Sequence, residues 1–309
     1  MVLYDPKEWW KLIFAFHKSD TFRRMLPAML AVAALTLGVA YLENTLLHAT
    51  FRNSTAVHSL VGFALSLLLV FRTNSAYERW WEGRKLWGSF VNNSRNLALK
   101  LSTLVQDAAL LETFRVLIGN YVLTAKDHLR DKADPSLLAD TREYPRSWYA
   151  GATHLPNRIM QALYRETWAL AESGTIPADT LLLLNAELQS FTDNLGACER
   201  IRKTPIPYSY HLFLKKLIFL YTLSMPLGFV REFGYWAALI VALVFYVFSS
   251  IELIAEEIED PFGTDANDVP TDAIVETIRL NLAEILSKPV PPKSSCPPAD
   301  KAFSRNTRS

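Results

Sequence analysis

The sequence predicts an all-helical membrane protein, and three observations carry that prediction. Half of the 309 residues are hydrophobic, long uncharged runs lie between charged residues, and the alternation typical of strands is weak throughout. Because 20% of the residues are charged, part of the chain is expected in water rather than in lipid. The net charge of +1 provides no broad basic surface, which argues against a nucleic-acid partner.

The first two membrane helices are predicted close together near the start of the chain. Met25 to Leu42 are uncharged, and at about 1.5 Å per residue this run nearly matches a hydrocarbon core of about 30 Å. A signal peptide is the alternative, but Glu43 follows the run where a cleavage site would need small residues. The uncharged run from Asn53 to Phe71 comes after a short connection, which predicts an antiparallel helical hairpin.

The third and fourth membrane helices are predicted near the other end of the chain. The run from Leu217 to Val230 is short, but uncharged residues from Pro205 extend it upstream, and the run from Phe233 to Ile251 follows almost at once. Four spans place both termini on one side, and the positive-inside rule makes that side cytoplasmic. The basic residues on it are Lys7, Lys11, Lys18, Arg23, Arg24, Arg72, Arg79, Arg84 and Lys85, against Arg52 and Arg231 opposite.

The region between the two hairpins is predicted to be helical and cytoplasmic. The stretch from Tyr77 to about Arg130 lacks proline and repeats its apolar residues at helical spacing, which predicts one long helix or two in line. Further helices are expected from about Arg158 to Glu172, from a cap and early proline at 175–177 to Lys203, and from Thr271 to Leu286.

The predicted organisation therefore has five parts. An N-terminal segment with membrane helices one and two occupies residues 1–71, and a cytoplasmic helical region occupies 72–209. Membrane helices three and four occupy 210–255, an acidic cytoplasmic segment with a short helix occupies 256–287, and a proline- and serine-rich tail at 288–309 is predicted to be disordered.

No sequence pattern supports catalysis. The chain lacks a GxxxxGK[ST] loop, an HExxH pair, a GxSxG elbow and a glycine-rich dinucleotide loop. Its six histidines show no ligand spacing and are interpreted as isolated polar residues, while Cys198 and Cys296 lie far apart without a CxxC partner. The protein is predicted not to be an enzyme and to require no cofactor.

The second membrane helix carries two stripes at helical spacing. One is small or polar and the other is apolar. Small residues allow close helix packing, which is one interpretation; the other is that copies of this helix surround a pore in which the apolar stripe forms a neck that gates by dewetting. The polar stripe is Thr55, Ser59, Gly62 and Ser66, and the apolar stripe is Ala56, Leu60, Phe63 and Ala64.

Two motifs resemble those of the bestrophin family in its bacterial branch. One follows the second membrane helix, from Phe71 to Gly88, and the other is Asp260-Pro261-Phe262-Gly263 followed by Asp265 and Asp268. The resemblance covers nearly the whole chain. The first motif contains Arg72, Asn74, Tyr77, Trp80 and Trp81, and its tryptophans and arginines also suit the point where a helix leaves the bilayer.

The resemblance implies a homopentamer in the bacterial cytoplasmic membrane, surrounded by lipid, with a central pore for small monovalent ions such as chloride. It places the neck at Ala56, Leu60, Phe63 and Ala64, and a second, cytoplasmic aperture at Ile176 to Thr180. Neither stripe carries a charge that would set the sign of the ion. A secondary transporter and a non-conducting membrane scaffold remain the alternatives.

The acidic segment after the last membrane helix corresponds to the calcium site of animal members of the family. Asp260, Asp265 and Asp268 are the candidate oxygen ligands, but uncharged residues interrupt the run, and calcium affinity follows ligand charge. We therefore expect any calcium site to be weak and not to gate the pore. The interrupting residues are Thr264, Ala266 and Asn267.

Overall fold

Every regular secondary-structure element among the residues that the structure describes is helical. The structure is a computed structural model, and it describes residues 20–47 and 55–287. The predicted disordered tail, Lys7, Lys11 and Lys18 lie outside these residues. The helices are α1 (Asp20–Leu42, followed by a π-helical turn Glu43–Leu47), α2 (Thr55–Leu104), α3 (Ala108–Leu129), α4 (Arg146–Tyr149), α5 (Leu155–Glu172), α6 (Thr180–Lys203), α7 (Tyr208–Phe233), α8 (Ala237–Glu259) and α9 (Thr271–Leu286).

Four helical stretches among the described residues are long and apolar enough to cross a membrane. Thr21–Thr45 contains the first predicted span, and Ala56–Leu104 contains the second from Ala56 onward. Tyr208–Glu259 contains the other two, separated by the turn Gly234–Trp236. The fourth stretch, Ala108–Leu129, was not predicted to be membranous. Of its most apolar part 61% is buried, against 11% for the first stretch, so its apolar side chains pack inside the protein.

The described residues form two compact units. The first contains 20–47, 55–89, 129–132 and 193–274, and the second contains 90–128, 133–192 and 275–287. In the first unit, α1, α7 and α8 pack on one another, and Leu65 and Leu69 of α2 contact Leu214 and Ile218 of α7. A Cβ added at Gly62 would lie 2.6 Å from the Tyr221 hydroxyl oxygen, so a larger residue there would displace the Tyr221 ring that packs against α2.

The second unit has an aromatic core between α2, α3 and α6. The Phe90 ring lies 6.3 Å from the Tyr121 ring, and the Tyr121 hydroxyl donates to the carbonyl of Phe191 at 3.0 Å. Residue 90 near the middle of α2 therefore meets the middle of α3, so the chain reverses between them. The prediction of two helices in line is wrong, because the carboxylate of Asp107 caps the Ala109 N–H at 2.8 Å and starts α3 in a new direction.

The start of α6 also differs from the prediction. The helix begins at Thr180, and the Ile176 N–H donates to the carbonyl of Leu170 in the preceding helix. The hydroxyl of Thr175 pairs with Ser173 and caps no helix. The physical reason is Pro177, which disfavours helical geometry in the residue before it and so keeps residue 176 in the connection. By contrast, α9 begins and ends where it was predicted.

Candidate functional site

The membrane part of α2, residues 55–71, packs on the rest of its unit with one face only. His58, Gly62, Leu65 and Leu69 follow one another at spacings of three or four residues, and Arg72 continues the row. The two leucines and Arg72 are fully or almost fully buried. The His58 ring lies beside Tyr221 and Phe229 of α7 and contacts the Ser224 carbonyl, so this face is covered by α7.

The four predicted neck residues lie together on the opposite face. At about 100° per residue, Ala56, Leu60, Phe63 and Ala64 are centred about 180° from Leu65 and Leu69. Leu60 and Phe63 are each 69% exposed, and both alanines are exposed as well. No other described element of the chain covers this apolar face.

The polar stripe lies between those two faces. Ser59 and Ser66 are exposed, and the Ser66 hydroxyl donates to the carbonyl of Gly62 at 2.8 Å within the helix. Gly62 itself belongs to the packed side, against Tyr221. At Gly62 the small residue therefore allows close helix packing, which agrees with one of the two interpretations of the stripes. The side chain of Thr55 lies outside the described side chains.

Arg72 ends the packed face in a buried ionic network. Its Nη2 donates to Glu259 Oε2 at 2.6 Å, and its Nε forms a longer ion pair of 3.7 Å with Glu252 Oε2. Nδ1 of His211 lies 3.4 Å from Arg72 Nη2 and 3.2 Å from Glu252 Oε1. His211 was interpreted as an isolated polar residue, and that interpretation is wrong, because the fold brings it between a buried cation and a buried carboxylate.

The network extends outward and binds the backbone as well. Lys215 pairs with Glu256 at 2.9 Å, and the second oxygen of Glu259 accepts the N–H of Ile206 at 2.7 Å. With His211 neutral, the two cations and three carboxylates carry one net negative charge. Removing one partner of such a network leaves a buried charge uncompensated, which makes Arg72 a key structural residue of this unit.

Arg79, about two turns further along the first motif, joins the ends of two helices. Its Nε donates to the carbonyl of Glu259 at 3.1 Å, and its two terminal nitrogens donate to the carbonyls of Thr204 and Ile201 at 2.6 and 2.5 Å. Carbonyls at helix C-termini have no partner within the helix, so a guanidinium satisfies them and favours the dipole. Sequence reasoning used Arg79 only as a marker of the cytoplasmic side.

The remaining motif residues divide between the interior and the surface. Tyr77, Trp80 and Trp81 form a cluster of three rings, with ring planes 8–21° apart and each pair of centroids 6.1–6.4 Å apart. The Trp80 indole N–H donates to the carbonyl of Asn267 at 2.8 Å, which attaches the acidic segment to α2. Tyr77, Trp81 and Asn74 are exposed.

The acidic segment folds around Asp268. Its carboxylate is 2% exposed and accepts the Asp265 N–H at 2.6 Å. Burial raises the pKa of Asp268 to about 6, although this hydrogen bond acts in the opposite direction. A Cβ at Gly263 would lie 2.8 Å from Asp268 Oδ2, so the turn requires glycine there.

The three candidate calcium ligands are not gathered into one site. Asp260 and Asp265 are exposed while Asp268 faces the backbone of its own turn, and the oxygens of the three do not come within 4.8 Å of one another. Calcium takes six to eight oxygens at 2.3–2.6 Å, so these side chains as placed do not fit the ion.

The two aperture residues lie in different surroundings. Ile176 is buried within the second unit, whereas Thr180 is half-buried at the first turn of α6. On the same helix Leu182 and Leu183 are exposed. The two residues therefore do not form one surface.

The helical fold of residues 20–47 and 55–287, with its helices of membrane length and its two motifs, defines a membrane protein. The chain belongs to the bacterial and fungal bestrophin family, whose sequence profile matches residues 1–284.

The relatives are named as channels. A voltage-dependent anion channel-forming protein of Nostoc is 38% identical over 232 residues, which are 72% of this chain and 75% of the relative. The Escherichia coli protein YneE has the same functional name and is 30% identical over 286 residues, 92% of this chain and 94% of the relative. The crystal structure of a bacterial bestrophin homologue from Klebsiella pneumoniae has a TM-score of 0.79 and 27% identity, covering 85% of this chain and 99% of that one.

Proposed function

We propose that this chain is the subunit of an anion channel whose pore lies on the axis of a homopentamer in the bacterial inner membrane. The observation that carries the proposal is the uncovered apolar face of α2, directly opposite its packed face. The anion-channel names of the relatives support the choice of ion. A ring of identical subunits around a cyclic axis would bring the same face of α2 from each copy to one lumen.

In this proposal Leu60 and Phe63 form the neck, flanked by Ala56 and Ala64. A narrow ring of apolar side chains excludes water, and an ion cannot enter until the ring widens or wets. Leu60 and Phe63 are exposed, which supports the apolar stripe as the lining of the neck. The polar stripe is less suitable because Gly62, one of its members, packs against Tyr221.

The second constriction is proposed at the first turn of α6, with Thr180 rather than buried Ile176 nearest the lumen. The positive end of the helix dipole would favour anions there. Both termini are proposed to be cytoplasmic, from the distribution of lysine and arginine. The acidic segment is proposed to hold α2 and α8 together through Trp80 and Asp268, and not to gate, so flux should be unchanged by micromolar calcium.

The experiment is chloride flux from liposomes containing the purified protein, with oligomer size measured by native mass spectrometry. The change Leu60→Ala, Phe63→Ala should lower the barrier to ion entry and raise flux about tenfold or more, while the pentamer persists. The matched control is Leu239→Ala, Leu243→Ala, two exposed leucines of α8.

Several outcomes would contradict the proposal. Flux that stays at the wild-type level in the neck variant while Ser59→Ala alters it would assign the pore to the polar stripe. A conducting monomer or dimer would exclude the pentamer. Saturable, gradient-coupled uptake would indicate a transporter, and no flux from correctly assembled protein would indicate a scaffold.

A further inference from the structure

The second unit contains a cavity of about 300 Å³ between α3 and α9. Arg115, Gly119 and Asn120 line it from α3, Ala139 lines it from the following connection, and Arg279 lines it from α9. Arg115 and Gly119 lie four positions apart on one face of α3, and Asn120 lines the cavity from the position next to Gly119. The cavity lies within one unit and involves none of the residues assigned to the pore.

The wall of this cavity is held rigidly. The Asn120 side chain is almost fully buried and binds the backbone of Ala139 twice, donating to its carbonyl at 2.8 Å and accepting its N–H at 3.0 Å. The same amide nitrogen contacts the Tyr149 hydroxyl at 3.3 Å. Because both amide groups of Asn120 are already used, this residue shapes the site and is not free to bind a ligand.

Gly119 keeps the cavity open. A Cβ added at this position would meet nothing within 4 Å, although the residue itself is buried. A larger side chain there would therefore project into the cavity without a clash against the protein. The space is a consequence of having glycine at this point of α3.

The charge in the cavity is positive. Arg115 is partly neutralised by Glu112, whose Oε2 accepts its Nε–H at 2.6 Å. Arg279 is different, because it forms no ion pair with a carboxylate of residues 20–47 or 55–287. A half-buried guanidinium that faces a cavity without a counter-charge is a binding group for carboxylate or phosphate.

The remaining wall is apolar and selects the kind of anion. Val116 and Leu282 line it, and the cavity volume lies at the lower end of the range for small-molecule sites. A single inorganic ion would leave most of this space unfilled. We infer that the cavity binds a small organic dicarboxylate, with one carboxylate on Arg279, the other near Arg115, and the carbon chain on the apolar wall.

The test is isothermal titration of the full-length protein in detergent, with succinate as the probe. Saturable binding is expected, and Arg279→Gln should weaken it about tenfold or more, because the variant keeps the shape of the side chain but loses the charge. Gly119→Leu should abolish binding by filling the cavity. Butyrate, which has one carboxylate, should bind more weakly than succinate.

Two matched controls separate the site from general effects. Arg95→Gln removes an exposed arginine that lines none of this cavity, and Gly196→Leu enlarges a second helical glycine with open space around it. Both should bind succinate as the wild type does. Circular dichroism and native mass spectrometry establish that each variant folds and assembles.

Four results would overturn the inference. Three of them are unchanged affinity in folded Arg279→Gln, binding of the uncharged succinamide as tight as that of succinate, and absence of saturable binding up to about 10 mM succinate. Phosphate binding as tightly as succinate would also contradict it, because the apolar wall would then have no role. None of these measurements depends on ion conduction. The inference can therefore be wrong while the proposed channel function is right, and the reverse.

Discussion

The two units differ in the kind of side chain that each of them buries. In the first unit a charged network around Arg72 and Glu259 is buried while leucines such as Leu30 and Leu239 are exposed. In the second unit Phe114, Tyr121 and other aromatic residues are buried, as in a protein that folds in water. The contrast indicates different solvents, because exposing apolar side chains costs nothing in lipid, whereas an unpaired charge there is expensive.

The largest effect on the first unit is expected when its buried cation is removed. Arg72→Ala leaves Glu259 and Glu252 without their main partner, and we expect a loss of about 3–5 kcal/mol in the free energy of unfolding. At about 2 °C per kcal/mol this lowers the unfolding midpoint by roughly 6–10 °C. Thermal unfolding of the protein in detergent measures it.

Arg84→Ala is the control, since Arg84 is an exposed residue of the same helix and should shift the midpoint by less than about 1 °C. If Arg72→Ala and Arg84→Ala unfold at the same temperature, the buried network does not stabilise the first unit.

The second unit offers the converse test, a polar pair inside an apolar core. The Tyr144 hydroxyl donates to Glu166 Oε1 at 2.5 Å, and burial raises the pKa of both groups. Tyr144→Phe should cost about 1–3 kcal/mol, because Glu166 stays buried and loses its donor.

Replacing both partners should restore much of that loss. In Tyr144→Phe, Glu166→Leu no unsatisfied buried group remains, so chemical denaturation should give a smaller loss than for Tyr144→Phe alone. If the double variant is less stable than Tyr144→Phe, the Tyr144–Glu166 pair stabilises the fold by more than the hydrogen bond between its two partners.

The parts predicted correctly from the sequence are those with a one-dimensional signal. Uncharged runs bounded by charged residues located the membrane helices, and helical spacing located α5 and α9. Contiguous motifs identified the family. Such patterns need no knowledge of what a residue contacts.

The parts that were wrong or missed depend on tertiary contacts. Arg72 and Glu259 lie 187 positions apart, and His211 joins them only in the folded unit, so a charge beside a membrane run indicated orientation and nothing more. The reversal after α2 depends on Asp107, one capping residue within a three-residue break. The burial of Ile176 follows from the turn before Pro177, which local spacing alone did not reveal.

The smallest expected effect concerns Asp268, the buried carboxylate of the acidic segment in the first unit. Its pKa of about 6 is above the ordinary value, so the folded protein binds a proton that the unfolded chain releases. Stability is therefore fully present below the ordinary pKa and falls as the pH rises through 6, by about 1 kcal/mol between pH 5 and pH 7.

Asp268→Asn should remove this part of the pH dependence. The amide oxygen can still accept the Asp265 N–H, but the side chain no longer ionises, so the unfolding midpoints at pH 5 and pH 7 should lie closer together than in the wild type. Asp265→Asn is the control, because that side chain is exposed and should leave the difference unchanged. An identical pH dependence in wild type and Asp268→Asn would mean that Asp268 does not titrate between pH 5 and pH 7 despite its burial.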